Sequence, residues 1–328
     1  MSSLPKEAYL SLKDKARANY TKLQFTEDFK KYIDHAINSE EIKEIDISQI
    51  IFPEGYYFRL GEFLPDCEVK NRKICEKTLI AHNTVFSGNV SLGSIDFKQM
   101  VEFDGAIFNR RFLAQGARFH SNINFSGSEF LRQSNFSKTE YLLSCSVNFY
   151  HSRFHESVSF ADSKFHEDSD LIFDYSRFKD VAFFNNTEFQ GKVGFSDAIF
   201  ESSCNFSFAK FFQDANFAGT YFTRLTRFTG IQLSHLIEFK RSFFFENCLF
   251  NHLNFKNQGR ISFDDISVRE STRIVVGAID SIEGSIKKER IRFQRFSMIL
   301  DSPAIVIKDC KSFQNEQPLL GFANCFFE

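Results

Sequence analysis

The chain has 328 residues, of which 43% are hydrophobic and 25% are charged, and its net charge is −2. This composition is that of a globular protein, and no apolar run approaches the roughly 18 residues that span a membrane. The near balance of charge and the lack of any nucleic-acid motif argue against direct binding to nucleic acid. Residues 1–7 lack the basic start and apolar core of a secretory signal, which predicts a cytoplasmic protein, with export as an effector as the alternative.

Residues 1–85 are predicted to form a helical and mixed N-terminal region. Two apolar stripes at helical spacing predict two helices before residue 38. The stripes are Tyr9, Leu12, Ala16, Tyr20 and Leu23, and then Phe29, Tyr32, Ile33, Ala36 and Ile37. Strand-like sequence follows as far as Phe86, and the whole region is interpreted as a cap over open strand edges or as a docking domain for a partner.

Residues 86–260 contain a repeat in which a large apolar anchor, nearly always phenylalanine, returns at alternating spacings of five and six. The first members of successive pairs run from Leu92 to Phe250, and most of their steps equal the 11-residue step from Phe125 to Phe136. Two steps, from Phe136 to Phe149 and from Phe160 to Phe173, are each longer by two. The clearest anchors, which are predicted to form the structural core, are Phe103, Phe108, Phe125, Phe130, Phe160, Phe165, Phe195, Phe200, Phe217 and Phe222.

A second patterned residue precedes each anchor by two positions, which is the period of a strand. It is often apolar before one anchor, as in Val101, and small before the next, as in Ala106. A right-handed coiled coil also has an 11-residue period, but it needs anchors three and four residues apart. Each unit is therefore predicted to form two short strands, and two units one coil of about 22 residues, so that Phe86 to Phe255 form seven to eight stacked coils.

Segments such as 103–108 (FDGAIF), 125–130 (FSGSEF), 195–200 (FSDAIF) and 217–222 (FAGTYF) resemble the Phe-centred units of the pentapeptide-repeat family. The resemblance implies an all-β solenoid, a right-handed quadrilateral β-helix of stacked short strands. The chain departs from the family pattern in two ways. The anchors recur at alternating spacings of five and six residues instead of a constant five, and phenylalanine replaces almost every leucine.

Residues 261–328 contain fewer phenylalanines and more isoleucine and valine, which predicts a degenerate continuation of the β-helix or a β-rich C-terminal cap. The chain ends in the apolar residues Leu319, Leu320, Phe322, Phe326 and Phe327. They are interpreted as buried or as a self-association surface, and members of the resembled family often dimerise through one terminus. The basic run 287–295 is interpreted as an outward strand face, with Arg290 and Arg292 on the same side, and a nucleic-acid contact is the less favoured alternative.

No motif of catalysis, cofactor binding or metal binding is present in the sequence. The seven cysteines form no CxxC pair, and Cys204 and Cys248 occupy inward positions before an anchor, which predicts buried thiols. The eight histidines show no metal-ligand spacing that a strand would support. We therefore expect a protein that is not an enzyme and binds no cofactor. A solenoid enzyme acting on a polymer is an alternative, because a β-helix can gather carboxylates along one face and Asp162, Asp168, Asp170 and Asp174 are close in sequence.

Charge and loop length together point to one candidate binding region. Residues 156–214 hold 11 acidic and 5 basic residues, a net charge of −6. Both longer steps enlarge the same corner of the repeat, at 142–148 and 166–172, so the two corners should stack one coil apart on one edge of the rod. The predicted partner-binding residues are Leu142, Leu143, His166, Glu167, Asp168, Asp170 and Asp174.

The sequence thus predicts a non-catalytic protein–protein interaction scaffold that presents a rigid β-helical surface to a macromolecular partner, which it does not identify. The best-known members of the resembled family bind and protect DNA gyrase by mimicking DNA with a strongly acidic rod. The resemblance therefore implies topoisomerase binding as an alternative. The count over residues 86–260 speaks against it, because 18 acidic and 18 basic residues leave that stretch neutral.

Overall fold

A computed structural model describes residues 22–66, 72–142, 145–269, 272–283 and 290–294, together with the backbone of 297–298, 305–307, 320–323 and 326–327. The first predicted helix, Leu143 and the apolar side chains of the C-terminus lie outside these described residues. The predicted four-sided β-helix is confirmed: each coil gives one short strand to each of four parallel sheets, here named A to D in the order in which a coil visits them.

The strands of sheet A are Glu44–Asp46, Thr78–Ile80, Val101–Glu102, Ile123–Asn124, Val147–Asn148, Leu171–Ile172, Val193–Gly194, Ala215–Asn216, Leu236–Lys240, Arg260–Asp264, Ile291–Gln294 and Leu320–Ala323. Those of sheet B are Val85–Phe86, Ile107–Phe108, Glu129–Phe130, Arg153–Phe154, Arg177–Phe178, Ile199–Phe200, Tyr221–Phe222, Phe243–Phe244 and Ser267–Val268.

The strands of sheet C are Phe58–Arg59, Val90–Ser91, Phe112–Leu113, Ser134–Asn135, Val158–Ser159, Ala182–Phe183, Cys204–Asn205, Thr226–Arg227, Cys248–Phe250, Ile274–Val276 and Ile305–Ile307. Those of sheet D are Lys73–Cys75, Ile95–Phe97, Arg118–Phe119, Glu140–Tyr141, Lys164–Phe165, Glu188–Phe189, Lys210–Phe211, Gln232–Leu233, Leu253–Phe255 and Ile279–Ile282. A separate parallel pair joins Ser297–Met298 to Phe326–Phe327.

The strands of neighbouring coils pair in register, so each residue lies directly above its counterpart in the previous coil. Val101 pairs with Ile123, Ile123 with Val147, and Val147 with Leu171. The steps from Ile123 to Val147 and from Val147 to Leu171 are each two residues longer than the step from Val101 to Ile123. These two longer steps contain the two enlarged corners. Sheet B has eight strands from Val85–Phe86 to Phe243–Phe244, so the predicted count of seven to eight coils before Phe255 is confirmed.

Stacked phenylalanine rings fill the centre of the rod. All ten predicted core phenylalanines are at most 1% exposed. Rings in the same sheet lie nearly parallel from one coil to the next, as for Phe103 and Phe125, whose centroids are 5.2 Å apart at an interplanar angle of 4°. Rings from the opposite sheets A and C meet edge to face, as for Phe206 and Phe217. Both arrangements are favourable for aromatic quadrupoles, so each coil stabilises the next one.

One coil exchanges the large and small inward residues of sheet C. Ala114 stands where the pattern expects a large anchor, and Phe112, two residues earlier, supplies the ring instead. Phe112 is fully buried and lies 4.8 Å from Phe108 and 5.0 Å from Phe136, measured between ring centroids. The swap conserves the volume of the layer, which is the kind of core change that proteins tolerate best.

The small inward residues satisfy their own polar atoms. The hydroxyl of Ser128 donates to the carbonyl oxygen of Phe103 at 2.6 Å, and that of Thr187 donates to the carbonyl oxygen of Phe160 at 2.8 Å. Ser152, Ser163, Ser176, Thr220 and Ser242 repeat the same bond to the coil below. Buried hydroxyls are costly only when unpaired, so these two columns, one before sheet B and one before sheet D, link coils without penalty. The thiols of Cys204 and Cys248 are buried, as predicted.

The helix Lys22–Asn38 covers the first coils of the rod. Phe25, Phe29, Ile33 and Ala36 form its buried face. The ring of Phe29 packs edge to face on Phe52, and Phe52 in turn stacks on Phe86, so the aromatic core continues into the helix. A short 3₁₀ turn, Leu60–Glu62, follows the first strand of sheet C. At the other end the strands after residue 260 extend sheets A to D.

The prediction that Arg290 lies on an outward face is wrong. Arg290 is 1% exposed, and its guanidinium donates to the carbonyl oxygens of Asn257, Gly259 and Glu283. Arg292 does point outward, between the buried Ile291 and Phe293. The difference arises because Arg290 precedes the strand, at the corner, where it satisfies carbonyl groups of the wide turn below and its aliphatic stem can pack inward.

Candidate protein-binding face

The two enlarged corners connect sheet D to sheet A and stack directly on each other, as predicted. Tyr141 pairs with Phe165 before the corners, and Val147 pairs with Leu171 after them. The hydroxyl of Ser169 donates to the carbonyl oxygen of Leu142 at 2.8 Å, so the upper corner is bonded to the lower one.

Each enlarged corner buries one small residue, Cys145 in the lower corner and Ser169 in the upper one. The amide of Ser169 also donates to the carbonyl oxygen of His166 at 3.0 Å, which closes the upper corner into a turn. This turn directs Glu167, Asp168 and Asp170 into solvent, and all three are exposed. The corner is therefore an ordered platform for carboxylates.

A groove of about 380 Å³ lies on the outer face of sheet A beside the upper corner. It crosses four successive coils along the outward column of this sheet, which includes Gly194. The groove is lined by Asp170, Leu171, Ile172, Lys192, Val193, Gly194, Asp214, Ala215, Asn216, Leu236 and Glu238. Of the predicted residues, Asp170 lines this groove.

Asp174, in the coil below, lies beside Gly194 of the groove. Elsewhere on sheet A the outward asparagine of the strand accepts a bond from the amide two residues later, as Asn148 does from Tyr150 at 2.8 Å. Gly194 has no side chain, and Asp174 takes over this role by accepting from the amide of Ser196 at 2.8 Å. A Cβ on Gly194 would lie 2.6 Å from Asp174 Oδ1, so the carboxylate occupies the space that the glycine leaves. The pKa of Asp174 is raised, chiefly because burial disfavours its charged form.

The fold sorts the charges of residues 156–214 by side of the rod. Six carboxylates of this stretch lie on the side of sheet A or at the corners on its two edges, and we call them the acidic face. Lys192 is the one basic residue of residues 156–214 on this side. The acidic face consists of Glu167, Asp168, Asp170, Asp174, Asp197 and Asp214. The other four basic residues of this stretch lie on other sides, and two of them pair with glutamates there, Arg177 with Glu201 and Lys210 with Glu188.

Two exposed tyrosines border the acidic face at the corner between sheets A and B. The rings of Tyr150 and Tyr175 meet edge to face with centroids 5.5 Å apart, and about half of each side chain is exposed. Tyr175 has a φ of 60°, in the left-handed region that this corner also adopts in the neighbouring coils, at His151 and Asp197. The positive φ is therefore a property of this corner of the coil and is not specific to Tyr175. Interaction with Asp197, electrostatic above all, raises the pKa of the Tyr175 hydroxyl.

The predicted residues therefore divide between the corner and the groove. His166, Glu167 and Asp168 lie on the upper corner, Asp170 lines the groove, and Asp174 lies beside Gly194. Leu142 is half-buried in the lower corner and does not line the groove. Sequence reasoning missed Lys192, Gly194, Asp214, Asn216, Glu238, Tyr150 and Tyr175. Most of the groove residues could have been predicted from the spacing of one coil along the sequence. This spacing places Ile172, Gly194, Asn216 and Glu238 in one outward column.

Comparison of the chain with protein-family models, with curated proteins and with solved structures finds no match. Within the part of the chain that the structure describes, no helix is long and apolar enough to cross a membrane. The same residues contain no group of three or more histidine, cysteine or acidic side chains placed to hold a metal ion.

Proposed function

We propose that this protein is a non-catalytic interaction scaffold whose acidic face binds a positively charged segment of a partner protein. The observation that carries the proposal is the concentration of carboxylates on one side of a rigid rod. The described residues provide no ion pair for Glu167, Asp168 or Asp170, whereas the glutamates at 188 and 201 are paired within the rod. Carboxylates without an internal counter-charge favour a basic partner and speed its association.

The tyrosine pair supports a protein as the partner. Tyrosine is enriched among the residues that dominate binding energy, because it offers a large rigid surface with a polar tip. Tyr150 and Tyr175 flank the carboxylates, so a basic segment lying along sheet A would contact both. The resemblance to the pentapeptide-repeat family, whose members present a rigid side of the rod, agrees with this proposal.

The test is capture of a partner from the native cell by the immobilised full-length protein, followed by identification by mass spectrometry. We expect a partner that is retained by wild type and lost from the variant Asp170→Asn/Asp214→Asn. The matched control Asp162→Asn/Asp180→Asn removes the same charge from two exposed carboxylates on other sides and should retain the partner. Retention should also weaken as salt rises, because exposed charges are screened.

Equal retention by both double variants would show that the acidic face is not the binding surface. Capture of gyrase subunits through the same face would favour the topoisomerase-binding alternative. A protein that captures no partner and degrades a polymer would support the solenoid enzyme instead.

A further inference from the structure

A second polar cavity lies on a different edge of the rod, at the corner between sheets B and C. It has a volume of about 350 Å³ and is lined by Asn89, Arg110, Arg111, Arg132, Gln133 and Glu156. These residues come from four successive coils, and the in-register strands on both sides of the corner stack Arg110 beneath Arg132, and Arg132 beneath Glu156. We call this cavity the arginine pocket.

The backbone of the pocket is ordered by bonds between coils. The amide of Arg111 donates to Asn89 Oδ1 at 3.1 Å, and the amide of Gln133 donates to Glu156 Oε2 at 3.2 Å. Gly88 occupies the place below Arg110, and a Cβ there would lie 1.7 Å from the carbonyl oxygen of Tyr56. The carbonyl group of Tyr56 occupies this place, so no side chain of Gly88 lies beneath Arg110.

The pocket has more positive charge than its own carboxylate can neutralise. Arg132 Nη1 binds Glu156 Oε1 at 2.8 Å, which fixes one guanidinium at the rim. Arg110 and Arg111 are both exposed, and neither forms an ion pair with a carboxylate of the described residues. Three guanidinium groups against one carboxylate leave a net charge of +2 around the cavity.

We infer that the arginine pocket binds a phosphoryl oxyanion, either free phosphate or a phosphate carried on a protein side chain. Guanidinium groups match the oxygens of phosphate with paired, charge-assisted hydrogen bonds, and they do so better than lysine. The cavity has room for a phosphoryl group and the atoms that bear it. Arg132, held by Glu156, would provide a fixed donor, while Arg110 and Arg111 would close on the anion.

The same corner offers a matched control further along the rod. Arg224 occupies the slot of Arg110 and Arg132, and its guanidinium binds Glu246 Oε1 at 2.6 Å. The neighbouring position holds Leu225 where the pocket has Arg111 and Gln133. This arginine is therefore neutralised, and we expect no anion site beside it.

The test is calorimetric titration of the full-length protein with inorganic phosphate and, separately, with a short phosphoserine peptide and its unphosphorylated form. We expect saturable binding that weakens about tenfold or more in Arg110→Gln/Arg111→Gln, since each charge-assisted bond contributes roughly a tenfold factor. Arg224→Gln should bind like wild type. Thermal unfolding of both variants should match wild type, because these side chains are exposed.

The two probes separate the two sources of the anion. Binding of phosphate as tight as that of the phosphopeptide indicates a site for free phosphate, and binding of the phosphopeptide alone indicates a site for a phosphorylated protein segment. The inference is overturned if neither probe binds saturably, if the unphosphorylated peptide binds equally well, or if Arg224→Gln weakens binding as much as the double variant.

Discussion

The outer faces of sheets D and A share one backbone geometry but treat charge in opposite ways. On sheet D the outward column alternates in sign from coil to coil, as Asp96, Arg118, Glu140, Lys164, Glu188 and Lys210. Opposite charges therefore face each other directly, for example Arg118 Nε and Glu140 Oε2 at 2.9 Å. On the sheet A side, carboxylates accumulate around Gly194 and one lysine.

This difference shows what in-register stacking does to a sequence. A residue type placed once per coil becomes a column, and the column either neutralises itself or builds up one charge. Sheet D does the first, so its outward charges neutralise one another. On the acidic face the column of Asp170, Lys192 and Asp214 also alternates in sign. The excess of negative charge comes from the corners, where Glu167, Asp168, Asp174 and Asp197 add four carboxylates, and a basic partner would relieve their mutual repulsion.

The largest expected effect tests the core that supports both faces. Phe200→Ala should lower the free energy of unfolding by about 3 to 5 kcal/mol, because it removes a buried ring stacked between Phe178 and Phe222. Phe183→Ala removes the same ring from an outward position that is 36% exposed, and should cost less than about 1 kcal/mol. Urea denaturation measures both. Similar losses would contradict the inward and outward assignment.

An intermediate effect compares the two faces directly with one substitution type. Glu140→Lys would place a lysine between Arg118 and Lys164 and should destabilise the protein by about 1 kcal/mol, since like charges then face each other. Glu167→Lys on the acidic face should change stability by less than about 0.5 kcal/mol. Its effect should appear as lost partner binding. If denaturation midpoints fall equally, the two faces do not differ as described.

The smallest effect concerns the pH dependence of the groove. Because burial raises the pKa of Asp174, the folded state holds this proton more tightly than the unfolded state, and stability falls as pH rises from the ordinary carboxyl value through the raised one. Asp174→Asn keeps an oxygen that can accept from Ser196 and removes the charge. The variant should be slightly more stable than wild type at pH 7 and equal to it at pH 3.

Urea midpoints at the two pH values measure this difference. An advantage of the same size at both would mean that the charge of Asp174 is not its cause.

The fold was predictable because its cause is local and repeated. Anchors such as Phe125 recur at strand-compatible spacings that no helix tolerates, so stacking is the one way to bury them. The stacking of the enlarged corners followed from their shared slot in the repeat. The exchange between Phe112 and Ala114 could not be predicted from the repeat. It keeps the total volume of the inward side chains in that coil but moves the large residue away from its usual position.

The candidate site was only partly predictable, since it depends on which side of the rod each residue occupies. Asp170 was named because it lies in an enlarged corner, whereas Asp214 is distant in sequence and joins it only through two coils of stacking. The position of Asp174 over Gly194 depends on a missing side chain in the next coil. Arg290 was misassigned because corner carbonyl groups, invisible to a strand period, determine where its guanidinium lies.

The constant register from coil to coil also makes the rod a molecular ruler. Removal of residues 193–214 would bring Ala215 into the place of Val193, opposite Leu171, and would shorten the rod by one strand spacing of about 4.8 Å. The number of coils between two surfaces therefore sets the distance between them along the rod. A lineage that gained or lost one coil between the arginine pocket and the distal end of the acidic face would change the reach of the protein in fixed increments while keeping both surfaces on their own sides.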